Sequence, residues 1–259
     1  MNTVGSARGF DFHCHVDLDR DPPTFIAQCE KERIVTLAVT TTPKAWPQNR
    51  TWAKQSDYVL PALGLHPELV ATRYNELELF NAAADETRFI GEVGLDGTGE
   101  HRRSLPLQQE IFGSILDLAQ RLGGRVVTIH SRWTVSEVLE LIAKHTTNDR
   151  VLCILHWFSG SLSLAKQAAG LGCYFSVNGA MLANERGRTL VESLPESRLL
   201  TETDSPFTAV GTRPSAPWDV VPIAEKLANI RGISSQQMND VINDNARGVL
   251  AFGDVHIKS

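Results

Sequence analysis

His13 and His15 lie two residues apart in the run Phe10–Val16, and on an extended strand that spacing turns both imidazoles to one face. Further along, His66, Glu92, His130, His156 and Asp204 each fall on or at the end of a short β-branched or apolar run. Such runs belong in a buried sheet, where an ionisable group is costly unless it is paired or bound to a metal. One histidine in such a place reads as a satisfied core residue; a whole set placed alike points to a shared task. Imidazole nitrogens with carboxylate oxygens suit zinc, manganese or magnesium-like ions, and the lack of thiolates argues against a closed structural zinc site. A central glutamate can give one oxygen to each of two divalent ions roughly 3.5–4 Å apart. Glu92 is expected to do so, with His13, His15 and Asp204 completing one metal site and His130 with His156 the other. Two ions so held activate a water and clamp the oxygens of a phosphate ester, with Asp204 placed as general base.

The elements that must position these groups follow one rhythm. The runs Phe10–Val16, Ile34–Thr41, Tyr58–His66, Arg88–Asp96, Arg125–Ser131, Val151–Phe158, Cys173–Asn178 and Arg198–Asp204 alternate with helix-like stretches. Several runs are almost continuously apolar, as parallel strands covered on both faces are. Ile111, Ile115, Leu118 and Leu122 recur at helical steps and Gly123 supplies the stop, while Thr134 followed by Glu137 has the pattern of a capping box. Eight β-then-α units in 259 residues predict an α/β fold, a single-domain (β/α)₈ TIM barrel spanning residues 1–259. The alternative, an open doubly wound sheet, lacks a GxGxxG after the first strand. A barrel gathers the C-terminal strand ends, and therefore all these donors, at one mouth.

Composition sets limits. Hydrophobic residues at 42% and charged residues at 21% exclude a disordered chain. No apolar stretch approaches the roughly 20 residues of a membrane span, and the N-terminal segment has no apolar signal core, so a cytoplasmic location and no membrane partner are expected. A net charge of −5 denies the protein a basic field for a long nucleic acid, although bound divalent ions would make the mouth locally positive. Cys14, Cys29, Cys153 and Cys173 have no CxxC spacing and read as buried thiols.

The stretches carrying the donors, FDFHCHVDLD, GLHPELV, IGEVGLDG, TIHSRW, LHWFSGS and TETDSPF, together resemble the motif series of the TatD family of metal-dependent deoxyribonucleases along nearly the whole chain. The late Asn245 sits where that family has an asparagine closing the barrel. The resemblance implies His13, His15, Glu92, His130, His156 and Asp204 as metal ligands, His66 near the substrate phosphate, and a DNA substrate. Thr40–Trp46, Trp157, the FSVNGAML stretch and SAPWDV resemble most the TatD-like nuclease of the four-gene Qat anti-phage system. That implies bacterial defence and protein partners from the same operon. Four positions depart from the family pattern: Glu68 replaces a histidine, Gly97 an aromatic residue, Trp133 an acidic residue, and Arg213–Trp218 an RGxxNEP segment. All fall in loops at the mouth, so hydrolytic chemistry is expected to be intact and DNA specificity altered.

Around the mouth, Trp133 and Trp157 can stack on a nucleobase or pack between barrel and helices. Arg132 and Arg213 are loop arginines suited to holding phosphate, and Arg132, directly after a buried strand, can instead form a structural salt bridge. Arg132 and Trp133, with His66, are the expected substrate contacts. Ser176 and Asn178 can face the site or fill a barrel layer, and His101, His145 and His256 are given no role. The function expected is a divalent-metal-dependent phosphodiesterase acting on DNA ends. Its rivals are a carbon–nitrogen hydrolase of the amidohydrolase type, where a lysine often stands on the fourth strand, and a non-catalytic assembly subunit.

Overall fold

The computed structural model describes residues 2–257. Eight parallel strands follow one another: β1 (Gly9–Cys14), β2 (Ile34–Val39), β3 (Val59–Ala62), β4 (Phe89–Gly94), β5 (Arg125–His130), β6 (Val151–His156), β7 (Tyr174–Val177) and β8 (Leu199–Thr201). β1 to β3 pair in order, as do β4 to β8. A bridge from Leu63 to Ile90 joins β3 to β4. At the other seam Thr201 Oγ1 donates to the Phe10 carbonyl (2.5 Å), and Asp204 N donates to the His13 carbonyl (2.8 Å). The sheet is thus a closed barrel, as the alternating runs predict.

β2 and β4 are both buried along their whole length, which explains the run of Ile, Val, Leu and Ala that makes up most of β2. Helices cover the outer face; that of Leu105–Leu122 buries Ile111, Ile115 and Leu118 and stops at Gly123, whose φ of 69° suits a residue without a Cβ. All four cysteines are buried free thiols, with Cys14 packed against Val16, Ile26 and Cys29 on the helix side of β1. Asn245 donates to the carbonyls of Glu196 (2.7 Å) and Leu199 (2.8 Å), tying the last long helix to β8. Among the described residues no helix is long and apolar enough to cross a membrane.

Each of the eight strands stops before the run that predicts it does. For β1, β3 and β8 this leaves His15, His66 and Asp204 on the loops just beyond them. Just beyond β3 the backbone runs very close to its neighbours: a Cβ on Gly64 would lie 2.0 Å from the Thr40 carbonyl oxygen and 2.4 Å from Glu92 N. The capping box at Thr134 does not form. Its hydroxyl donates to the Leu95 carbonyl at 2.9 Å and so links the loops after β4 and β5 instead.

Candidate metal centre

Glu92 is the hub. Strand register slips between Ile90 and Val93 in β4 and between Asp11 and Cys14 in β1, and such irregularities re-aim side chains. Glu92 and His13 stand inside these two slips. Glu92 Oε2 lies 3.3 Å from His13 Nε2, 3.2 Å from His15 Nε2 and 3.2 Å from His66 Nε2. Its other oxygen, Oε1, lies 2.8 Å from His130 Nδ1 and 3.1 Å from His156 Nε2. Asp204 Oδ1 completes the first side, 3.6 Å from His15 Nε2 and 3.9 Å from His13 Nε2. The structure therefore brings together all six expected ligands and His66.

Three sets of donor atoms are close enough to hold an ion: His13, His15 and Glu92; His13, His156 and Asp204; and His66, Glu92 and His130. The second set crosses the expected division, because the His13 and His156 rings stack with centroids 3.8 Å apart.

The protonation pattern fits a metal. His13 Nε2 is buried and makes no hydrogen bond, while its Nδ1 lies 2.8 Å from the Thr128 hydroxyl. With the proton on Nδ1, a lone pair faces the centre, as ligation requires. His66 is the opposite case. Its Nδ1 accepts the Glu68 backbone N–H (3.2 Å), so the proton sits on Nε2 and the ring presents a donor to the centre. That suits contact with an anionic oxygen better than ligation.

Behind the ligands stand groups that the sequence reading missed. Asp96 Oδ2 lies 2.8 Å from His130 Nε2, while its Oδ1 accepts the Thr98 N–H at 2.7 Å. Glu202 Oε1 lies 3.4 Å from His156 Nδ1 and accepts from Asn178 Nδ2 (2.9 Å) and Trp157 N (3.0 Å), while Ser176 donates to its other oxygen. Asp11 accepts from His13 N (3.2 Å) and Thr203 N (2.9 Å), fixing the backbone just before Asp204. Period-two spacing held a signal for two of these, since Asp11 precedes His13, and Glu202 precedes Asp204, by two residues.

Charge states follow from burial and neighbours. Burial pushes the Glu92 carboxyl up, but His66, His13 and His156 outweigh it and hold it well below its ordinary range. For Asp204 burial prevails and raises the carboxyl to about 7. Burial, then the His156 charge, press His13 well down. Burial also works against His15, His130 and His156. Glu92 nonetheless raises His15, Asp96 with Glu92 raises His130, and Glu202 with Glu92 raises His156 well up. The Asp96 carboxyl, resisted by burial but bonded to His130 and Thr98, falls to about 2.

Above it opens a cavity of about 540 Å³, lined also by Glu68, Arg132, Trp133, Trp157 and Phe207. Arg132 is exposed and has no ion pair among the described residues, so the structural salt bridge considered for it is not formed. Arg213 differs from the phosphate role considered for it: its fork is filled by Asp219, at 2.8 and 2.6 Å. His145 pairs with Asp117 (2.8 Å), and His256 is exposed.

The sequence profile of the family described as TatD related DNase matches residues 10–251. The chain is 28% identical to Deoxyribonuclease TATDN3 of Homo sapiens over 91% of its own length and 92% of the relative's. It is 30% identical to an uncharacterized metal-dependent hydrolase of Methanocaldococcus jannaschii, covering 91% and 94%. The fold is also similar to that of YJJV, a TatD homolog from Escherichia coli, with a TM-score of 0.83 at 24% identity over 94% of this chain and 98% of that one.

Proposed function

Because the chain belongs to the family of TatD related DNases, we propose that it is a divalent-metal-dependent phosphodiesterase that cleaves DNA from a free end. The observation that carries this reading is the division of Glu92, whose two oxygens face separate sets of imidazoles. In the proposed assignment His13, His15, Asp204 and Glu92 would hold one ion, and His130 and His156 with Glu92 would hold a second. Bound divalent ions supply the Lewis acidity that activates water and offsets charge on a phosphate.

The chain's own groups do the rest. Asp204, beside His15 and His13 at the centre, is the carboxylate that takes the water proton. His66 donates its Nε2 proton to a phosphate oxygen, and the unpaired Arg132 guanidinium holds an adjacent phosphate from the rim. Trp133 offers a stacking surface. Donors that sit on strand ends inside a mouth favour a chain terminus over the middle of a duplex, and the net charge of −5 leaves few cations for tracking a backbone. The Qat-like stretches, Thr40–Trp46 and SAPWDV among them, support a role in anti-phage defence with protein partners, acting on DNA in the cytoplasm.

Cleavage of a linear single strand and of a covalently closed circle of the same sequence, with manganese or magnesium, tests the reading. Release from the linear strand alone, abolished by chelator, is expected. Equal rates on both would overturn end action, and no release from either would overturn the phosphodiesterase assignment.

A further inference from the structure

Two large aromatic rings stand in solvent on the rim of the cavity. Trp133 is 75% exposed and Phe207 is 60% exposed, although rings of this size are ordinarily buried. Both are held in place. Trp133 has a φ of 59°, a region bulky residues avoid. Bonds on both sides keep it there: Gly97 N to the Arg132 carbonyl (2.9 Å) and Thr134 N to the Ser131 carbonyl (3.2 Å). Gly97 makes room for this turn, since a Cβ there would lie 2.9 Å from Thr134 Cγ2 and 3.2 Å from the Trp133 carbonyl oxygen. Phe207 N donates to the Asp204 carbonyl (2.8 Å), and its ring stands at 89° to His15 with centroids 5.1 Å apart.

The two rings ride on the loops after β5 and β8, three strands apart around the barrel, and both line the cavity that holds the metal donors. Arg132, beside Trp133, is the single Lys or Arg among the described lining residues. This arrangement has one place for a phosphate and two apolar faces for something flat.

We propose that Trp133 and Phe207 grip one unpaired nucleobase at the mouth, so that the enzyme selects a nucleotide by the presence of its base as well as by its phosphate. The proposal rests on the phosphodiesterase reading above for its substrate, but not for its geometry. Because stacking uses a face that every base has, the grip requires a base without choosing among bases.

The test pairs cleavage with binding. Single strands whose terminal nucleotide carries a base or is abasic are compared in KM, with the modification at either end. Binding of a strand with terminal 2-aminopurine is followed by fluorescence quenching in chelator. For the wild type a KM ratio between the strands of roughly 5- to 100-fold is expected, with quenching on binding. Trp133→Ala and Phe207→Ala should collapse that ratio toward one and remove the quenching, while Trp133→Phe and Phe207→Tyr retain both. Equal KM values in the wild type, or alanine variants that weaken both strands alike, would overturn the grip. Quenching without cleavage would sink the phosphodiesterase reading and leave the grip standing, and the absence of both would sink the two together.

Discussion

The two sides of Glu92 differ in what stands behind their histidines. On the Oε1 side each ring is backed by a carboxylate, Asp96 behind His130 and Glu202 behind His156. On the Oε2 side His13 leans on a neutral hydroxyl, Thr128, and Asp204 itself lies at the centre, raised by burial to about 7. A carboxylate behind an imidazole fixes its orientation and makes it a stronger donor. In the proposed assignment, the Oε1 side is therefore the one expected to hold its ion more firmly, and Asp204 on the other side the group that takes the proton.

Glu92→Gln should erase the distinction, because no charge would remain between the two sets of rings. Metal uptake should fail on both sides, and cleavage should fall by more than the roughly 10²–10⁴ that a general base contributes. Metal analysis beside rate measurement checks this; a variant retaining both full metal content and wild-type rate would remove Glu92 from the centre. Asp204→Asn should act on one side only. The fold survives, since the amide keeps the shape, and turnover drops about 10²–10⁴-fold at saturating metal. Wild-type turnover there would assign the base elsewhere.

The central ring was legible because its chemistry contradicts its setting: His13, His130 and His156 interrupt runs that otherwise read as buried strand. The barrel was legible for the same reason that its strands are short and apolar. What could not be read was partnership. Asp96 looks like a loop carboxylate until the barrel brings His130 beside it, 34 residues on. Glu202 gains its role only from Asn178, Ser176 and His156 on neighbouring strands. Arg213 read as a free cation because its partner Asp219 lies six residues on, across a turn that no periodicity announces. Thr134 satisfied a helix-capping pattern, but its hydroxyl is turned to the Leu95 carbonyl instead of to the backbone N–H groups of the helix it precedes.

Substitutions behind the ligands sharpen the comparison at smaller scale. Asp96→Asn and Glu202→Gln should each weaken metal binding about 10–100-fold. Thr128→Val removes one neutral hydrogen bond and should cost only about 2- to 12-fold, the equivalent of roughly 0.5–1.5 kcal/mol. Calorimetric titration of the chelated protein measures all three. Equal losses would mean that the two sides do not differ in the way their backing groups suggest.

The smallest effect expected is in the pH dependence of stability, to which groups on both sides of Glu92 contribute with one sign. Asp204 binds its proton up to about 7 in the folded chain, against 3.8 ordinarily, so between pH 6 and 8 the folded state holds more proton than the unfolded one. Its contribution is present at low pH and is lost as pH rises through about 7, a loss of about 1.4 kcal/mol over that interval. The raised imidazoles of His15, His130 and His156 act in the same direction. For a chain of this size the Asp204 share corresponds to roughly 3–5 °C in Tm. Melting of the chelated protein should therefore fall from pH 6 to 8, and Asp204→Asn should flatten the slope by about that amount. Asp96, with its carboxyl at about 2, is ionised throughout, so its own titration adds nothing in this window. With saturating metal the trend should reverse, because protons then compete with the ion for the same atoms and binding tightens as they leave. A chelated protein whose Tm rises from pH 6 to 8 as steeply as the loaded one would show that Asp204 and the raised imidazoles hold no such protons.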